Sequence, residues 1–437
     1  MLKRILSLAL LTLVLTSASV PPESAFDLRL SRFIASNRFD WAAWEAKAVL
    51  QEVDWWLQNR VAPDDQERER SLLTRKEEVM AFLDGQQQAA QLEYRIRNEL
   101  AQLPQPGPVT PFEQSPILPP SVEPLEQELE ELQLRQEAAG SRAERIVATQ
   151  VSRILIDQGL GCASMQGWLP CPSTVWPPVT FRFNDMPTLL IISPRDEIRV
   201  YRSVYLLPDM PEAERTRLEA AVEGALGVSA LVENLGGVGS WPTMVLDNAS
   251  LHSLVDIVAH EWTHTYLYFR PLGAHYGDSR DLTTMNETVA SLVGGEVAEL
   301  AMARYYPQLL APPVLPSQSP AAAKDVAGTV ESFPQAMRRI RLHVDSLLAK
   351  GNVPEAEAYM EAERQKLVAA GYNLRRLNQA YFAFHGSYAT GPASVDPIGP
   401  WMRQLRAQSG SLKAFLEQVA EMHSLDDLRR ALGESGP

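Results

Sequence analysis

The pentapeptide His260-Glu261-Trp262-Thr263-His264 constrains this chain more than any other feature of the sequence. Residues four apart on an α-helix lie on one face, so the imidazoles of His260 and His264 could hold one Zn²⁺ between them. Glu261 would then lie beside the metal, where a carboxylate can take a proton from a zinc-activated water. The motif therefore predicts metal-assisted hydrolysis, above all of a peptide bond.

The residues before the motif predict the helix that such a pair of ligands needs. Apolar side chains recur at helical spacing at Leu254, Val255 and Val258. Either Asn248 or Ser250 could cap the start of this helix. The alternative is a core helix with two incidental histidines, since chance alone gives this motif in on the order of one such chain in a hundred. The apolar spacing and the cap favour the metal site.

A catalytic zinc needs a third protein ligand. The known extension of the motif to a third histidine fails, because Leu267 and Arg270 occupy the glycine and histidine positions. Asp281 is one candidate, in a polar stretch that also reads as a turn. Glu287 is the favoured candidate, because it begins a second helical stretch that runs to about Arg304 and follows the first after a short connection. The alternative is an ordinary first-turn acid that the helix dipole favours.

The two motifs resemble those of the gluzincins, the thermolysin-like clan of zinc metallopeptidases. Within that clan the chain is most similar to a bacterial family of aminopeptidase-like proteins. The resemblance covers roughly 180–432 and is specific at 258–264 and 286–290. It is weaker in the C-terminal helical part, at 377–380, Tyr388 and 401–432. The resemblance implies a Zn²⁺ ion held by His260, His264 and Glu287, with Glu261 as general base and acid.

A hydrolase of this kind also needs a donor for the tetrahedral oxyanion. The gluzincins use a tyrosine or histidine from the downstream helical part, where this chain has Tyr381, His385 and Tyr388. Tyr388 matches the family pattern and is the first choice for this catalytic role. The alternative for each of the three is packing in the core.

The chain departs from the clan at two places. No glutamate lies within 236–248, where many zinc aminopeptidases of the clan bind the free amino group of the substrate. Ser291 stands where thermolysin-like enzymes have an aspartate that supports a ligand. Asp256, one turn before His260, could orient a histidine ligand instead, or could be a solvated helix residue. Exopeptidase and endopeptidase activity therefore both stay open.

The first residues predict export. A basic start, an apolar stretch and then small residues within 1–20 are typical of a cleaved signal peptide. The rival is an uncleaved anchor, although the apolar run is short for a membrane span of about 20 residues. A secreted or extracytoplasmic location would favour a disulfide between Cys162 and Cys171, the only two cysteines.

The charge of the chain narrows the choice of partner. The formal net charge is −14, and loss of Lys3 and Arg4 with the signal gives 38 − 54 = −16. No block of basic residues stands out, which argues against nucleic acid or an anionic membrane as partner. A peptide or protein substrate is expected, with no stable membrane span in the mature chain.

The pattern along the chain predicts an α+β fold: a small mixed sheet, zinc-binding helices, an all-helical C-terminal lobe and an N-terminal helical arm. The last strand, near 243–246, could pair with an extended substrate. The predicted units, in chain order, are a signal peptide (1–20), an N-terminal helical region (21–102), a Pro-rich linker (103–124), a helix with the cysteine loop (125–178), a zinc catalytic domain (179–306), a second linker (307–323) and the C-terminal helical lobe (324–437).

Two other functions compete with peptide hydrolysis. The long N-terminal helices could dock a protein partner, which would suit a non-catalytic structural or partner-binding protein that retains zinc. They could also cover the active site or simply prop the catalytic domain. A zinc hydrolase that acts on a non-peptide amide would carry the same motif.

Overall fold

The computed structural model describes residues 25–58, 65–101, 122–161, 175–208, 210–310, 331–386 and 397–433. Five predictions lie wholly or mostly outside these residues: the signal peptide, the Pro-rich linker at 103–124, the disulfide between Cys162 and Cys171, the second linker at 307–323 and the role of Tyr388. Among the helices that are described, none is both long enough and apolar enough to cross a membrane.

Helices make up most of the structure, and the predicted α+β class is confirmed. The described helices are α1 (Ala25–Ile34), α2 (Trp41–Gln58), α3 (Asp65–Ala101), α4 (Glu123–Leu155), α5 (Glu212–Leu226), α6 (Leu251–Tyr268), α7 (Pro271–Ala274), α8 (Arg280–Tyr305), α9 (Phe333–Leu348), α10 (Val353–Ala369), α11 (Gln379–His385), α12 (Ile398–Gln408), α13 (Leu412–Ala420) and α14 (Leu425–Ala431). A π-helical turn (Ile156–Leu160) follows α4, and a 3₁₀ turn (Pro307–Leu309) follows α8.

The strands form two three-stranded sheets, where the sequence predicted one. They are β1 (Phe181–Phe183), β2 (Thr188–Ser193), β3 (Arg202–Leu206), β4 (Ser229–Asn234), β5 (Gly237–Val238) and β6 (Thr243–Val245). Sheet A has the order β3-β2-β4 and is antiparallel. Sheet B has the order β1-β6-β5, with β1 parallel and β5 antiparallel to β6.

The position of β6 corrects one prediction. We expected this strand to offer an edge to an extended substrate, but β1 and β5 occupy both of its sides. The register pairs Phe181 with Thr243, a contact between residues far apart in sequence that no local pattern reveals. Strand β6 therefore offers no edge, and the terminal strands of sheet B are β1 and β5.

One central core surrounds α6 and α8. The late half of α4 is buried there through Ile146, Val147, Val151 and Ile154, together with residues of both helices. Helix α3 packs along α4, and the contact of Phe82 with Gly140 is part of this pairing. Helices α3 and α4 are therefore packed on the central core.

Helices after residue 331 pack in two groups. Helices α9 to α11 share a separate apolar cluster, which includes Met337, Val344 and Phe382. Helices α12 to α14 instead join the central core beside α8, where Arg406 of α12 also pairs with Glu296 at 2.7 Å. The predicted C-terminal lobe is thus divided between sheet A, which α11 contacts, and the central core.

Helix α2 brings a buried carboxyl to the loop that follows β5. Glu45 is 1 % exposed, and one of its oxygens has no hydrogen-bond partner. Burial raises the pKa of Glu45 to about 7, although hydrogen bonds from Trp41 and the Trp241 backbone oppose this rise. The neutral acid is therefore the form that the folded chain accommodates.

This shift predicts a pH dependence of stability. The unfolded chain ionises Glu45 near pH 4.5 and the folded chain near pH 7, so the folded state holds more protons between these values. Its stability should then fall by about 3 kcal/mol as the pH rises through this window. Denaturant titrations at pH 5 and pH 8 should show that Glu45→Gln removes this loss. An equal pH dependence in both proteins would contradict the assignment.

Candidate metal centre

Helix α6 forms where the sequence predicts it. The side chain of Ser250 accepts a hydrogen bond from the backbone N–H of Ser253, so Ser250 rather than Asn248 caps the helix. Leu254, Val255 and Val258 are buried. The apolar face thus fixes the rotation of α6 in the core, and the ligand histidines follow one turn later.

Helix α8 begins earlier than predicted. Ser279 caps it, with its side chain accepting from the backbone N–H of Leu282. Asp281 therefore lies in the first turn of this helix and not in a loop, and it does not belong to the cluster of metal-binding residue types. Glu287 lies well inside the helix, so its interpretation as a first-turn acid is wrong.

Three side chains converge between α6 and α8. The Nε2 atoms of His260 and His264 are 3.0 Å apart. The Oε2 atom of Glu287 lies 3.6 Å from the first and 3.5 Å from the second. Among the described residues this is the one group of at least three His, Cys, Asp or Glu side chains that could hold a metal ion.

The donor set fits zinc in type and spacing. Zinc bonds to nitrogen and oxygen are about 2.0–2.2 Å long, so ligand atoms at tetrahedral corners lie roughly 3.3 Å apart. The three observed separations bracket that value. Glu287 Oε2 is buried and has no hydrogen-bond partner. A buried carboxylate oxygen without a partner is costly, and a cation between the three side chains would satisfy it.

The partners of the three side chains orient them. His264 Nδ1 lies 2.7 Å from Oδ1 of Asn286, an acceptor, so the neutral imidazole would carry its proton on Nδ1 and present Nε2 to a metal. Asn286 in turn donates to the carbonyl oxygen of Leu272 at 3.4 Å. The hydroxyl of Tyr276 donates to Glu287 Oε1 at 2.8 Å, so the other carboxylate oxygen faces the histidines.

The sequence analysis missed both orienting residues. Asn286 belongs to the second motif, and its position directly before the ligand was the available signal. Tyr276 lies in the connection between α6 and α8, where only the fold shows that it reaches Glu287. Asp256, the orienting partner considered from sequence, makes no hydrogen bond to His260; it lies against Gly294 of the neighbouring helix.

The charges of the three side chains depend on one another. Burial lowers the pKa of His264, but the Glu287 carboxylate outweighs this and raises it to about 9. Burial raises the pKa of Glu287, but His264 and His260 hold it well below its usual range. Without metal, the centre thus holds an ionised acid beside a protonated histidine.

Glu261 lies beside the centre, beneath β5. It is buried, and burial raises its pKa while the two histidines oppose that rise. A Cβ atom added at Gly237 would lie 2.9 Å from Oε1 of Glu261, and one at Gly239 would lie 3.1 Å from Oε2. The glycines therefore let the backbone of this segment run directly over the carboxylate.

Gly294 allows the close approach of α6 and α8. A Cβ atom there would lie 2.4 Å from Oδ1 of Asp256 and 3.2 Å from Cβ of His260. Gly294→Ala should push the helices apart, with a loss of about 1–3 kcal/mol in unfolding free energy and weaker zinc binding. Gly295→Ala is the matched control, because nothing lies within 4 Å of its Cβ position. Urea denaturation and zinc titration of both variants test this; equal effects would contradict it.

Two of the three predicted oxyanion donors, Tyr381 and His385, are described, and they lie beside each other. His385 Nε2 is 3.8 Å from Oε2 of Glu233 on β4, and its ring lies 4.3 Å from that of Tyr381. Burial and the charge of Glu233 raise the pKa of Tyr381 to about 12. In the described residues, neither side chain hydrogen-bonds to the metal cluster or to Glu261.

Comparisons with known proteins do not place the chain in a family. No family model matches it, no curated protein matches it, and no solved structure matches it. The resemblance to the gluzincins rests on the two motifs and stays a prediction.

Proposed function

We propose that this chain is a zinc-dependent metallopeptidase whose centre is formed by His260, His264 and Glu287. One observation supports this above the others: the unpartnered, buried Oε2 of Glu287 faces the two Nε2 atoms at 3.5 and 3.6 Å. Such a set supplies three protein ligands and leaves a fourth position for water or substrate, the arrangement of catalytic rather than structural zinc.

The chemistry divides between the metal and Glu261. When bound, Zn²⁺ lowers the pKa of a water molecule and polarises the scissile carbonyl group. Glu261 takes a proton from the attacking water and passes it to the amine that leaves. Its buried carboxylate is kept beside the centre by the backbone of 237–239, so the base needs no rearrangement to act.

In this proposal, an extended substrate lies along the side of β5 that faces away from β6. This strand is the last in the order of sheet B, and Gly237 within it and Gly239 just after it lie against Glu261. A peptide that adds a strand there would bring its backbone past the base. The predicted strand addition is therefore transferred from β6 to β5 in this proposal.

Three further parts of the proposal rest on sequence. Tyr388 stays the predicted donor from the downstream helical part. Export rests on the signal-like residues 1–20. A protein partner for the N-terminal helices also stays open, although much of α4 is occupied by the central core.

Cleavage of a mixed peptide library by the zinc-loaded full chain tests the function. We expect cleavage that a chelator stops and that added zinc restores. The cleavage positions will show whether the enzyme trims ends or cuts internally. A chain that binds one zinc and cleaves no peptide would contradict the proposal and favour a partner-binding protein or a hydrolase of non-peptide amides.

A further inference from the structure

Four of the seven histidines of the chain lie in two pairs, and one of these pairs is outside the metal centre. Within the centre, the ring centroids of His260 and His264 are 4.8 Å apart. The ring centroids of His275 and His423 are 5.6 Å apart, at an interplanar angle of 55°. The second pair is therefore only slightly wider than the pair whose nitrogens are spaced to share one metal ion.

Two segments that are distant in sequence carry the second pair. His275 ends α7, in the connection between α6 and α8, and His423 lies in the turn between α13 and α14. The same segments meet at Arg270, whose Nη1 atom lies 3.2 Å from Oε1 of Glu421. Helix α7 also packs against α13. The fold thus holds the two segments side by side and sets the spacing of the two rings.

A carboxylate orients His275 as it would orient a metal ligand. Nδ1 of His275 lies 2.8 Å from Oδ2 of Asp278, an acceptor. The neutral ring therefore carries its proton on Nδ1 and presents the lone pair of Nε2. Histidines that bind metal almost always have such an outer partner, which fixes the ring and increases its basicity as a ligand.

The remaining ring nitrogens of the pair are accessible to an ion from solvent. The side chain of His275 is 45 % exposed, and His423 is an exposed residue. Within the part of the chain that the structure describes, no hydrogen bond occupies Nε2 of His275 or either ring nitrogen of His423. Because both side chains lie at the surface, their torsions can supply the small closure that a shared ion requires.

We propose that His275 and His423 form a second metal site, which binds Zn²⁺, Cu²⁺ or Ni²⁺ through two imidazole nitrogens, with water in the other positions. Imidazole suits these ions, whereas Ca²⁺ and Mg²⁺ bind through oxygen ligands. The site is weaker than the centre, because it has two protein ligands where the centre has three. The formal net charge of −14 favours the approach of cations. This site does not depend on the proposed peptidase function.

An ion at this site links the connection before α8 to the C-terminal helices. His275 directly precedes Tyr276, whose hydroxyl donates to Glu287 of the centre at 2.8 Å. The ion binds an arrangement of two distant segments that exists only in the folded chain, so it stabilises the fold by mass action. It therefore acts as a clamp on the segment that orients the third ligand of the centre.

Zinc titration of the full chain tests the site, after the centre has been filled with one equivalent of zinc. Calorimetry should show a second, weaker equivalent in the wild-type chain. His423→Gln should lower the affinity for this second equivalent by about 10²-fold or more, because the second imidazole binds the ion intramolecularly. Asp278→Ala removes the partner of His275 and should lower it by roughly 10–100-fold. The first equivalent should stay at the wild-type affinity in both variants.

His343→Gln is the matched control. His343 lies on α9, and its ring packs against that of Tyr359 at a centroid distance of 4.4 Å. We expect this variant to bind both equivalents as the wild-type chain does. A wild-type chain that takes no second zinc, or a His423→Gln chain that takes it with unchanged affinity, would overturn the proposal. Absence of the tighter equivalent, with a weaker one that His423→Gln removes, would contradict the metal centre and support the second site.

Discussion

Replacing Glu261 by glutamine should reduce turnover by about 10²–10⁴-fold, the usual contribution of a general base, while the zinc content stays at the wild-type level. Glutamine keeps the size of the side chain but cannot accept the proton of the attacking water. The three metal ligands are separate side chains, and Glu261 lies beside them under Gly237 and Gly239. The variant thus separates catalysis from metal binding.

The measurement pairs kcat on a cleaved peptide with zinc analysis of the same preparation. Glu299→Gln is a suitable control, because Glu299 is an exposed residue of α8 that pairs with His252 at 3.2 Å and is not part of the metal cluster. Hydrolysis at the wild-type rate by the Glu261→Gln enzyme would remove Glu261 as the base.

The second large effect is expected from Glu287→Ala, which should lose zinc and with it all activity. The variant removes the one carboxylate of the cluster and leaves two histidines, too few for tight binding. Loss of a residue that orients a metal ligand usually lowers metal affinity by roughly 10–100-fold. The zinc affinity of Glu287→Ala should fall by more than this. Asn286→Ala removes the orienting partner of His264, so its loss of zinc affinity should lie within that range.

Competition with a chelator of known affinity measures this series. Glu299→Ala, on the same helix, should bind zinc as the wild-type chain does. Equal zinc affinity in Glu287→Ala and wild-type protein would remove Glu287 from the ligand set and reopen the search for the third ligand.

Local sequence patterns predicted the elements of the site well. Helix α6 is set by its apolar spacing and by the Ser250 cap, and both signals lie within a few residues. The strand β2 is apolar at 189–192 and is buried on both faces. Such features depend on neighbours in the chain, and one sequence suffices to find them.

The features that the sequence did not reveal depend on distant contacts. The division into two sheets follows from the pairing of β1 with β6, about sixty residues later. Tyr276 reaches the centre only through the fold, from the connection between α6 and α8. Asp281 was misplaced because its polar neighbours resemble a turn, whereas Ser279 caps a helix there.

A zinc-edge anomalous difference map from crystals of the zinc-loaded chain tests the central claim most directly. The account predicts one strong peak within about 2.2 Å of His260 Nε2, His264 Nε2 and Glu287 Oε2. A protein that carries one zinc per chain but shows its peak at other residues would contradict the metal centre and the function built on it.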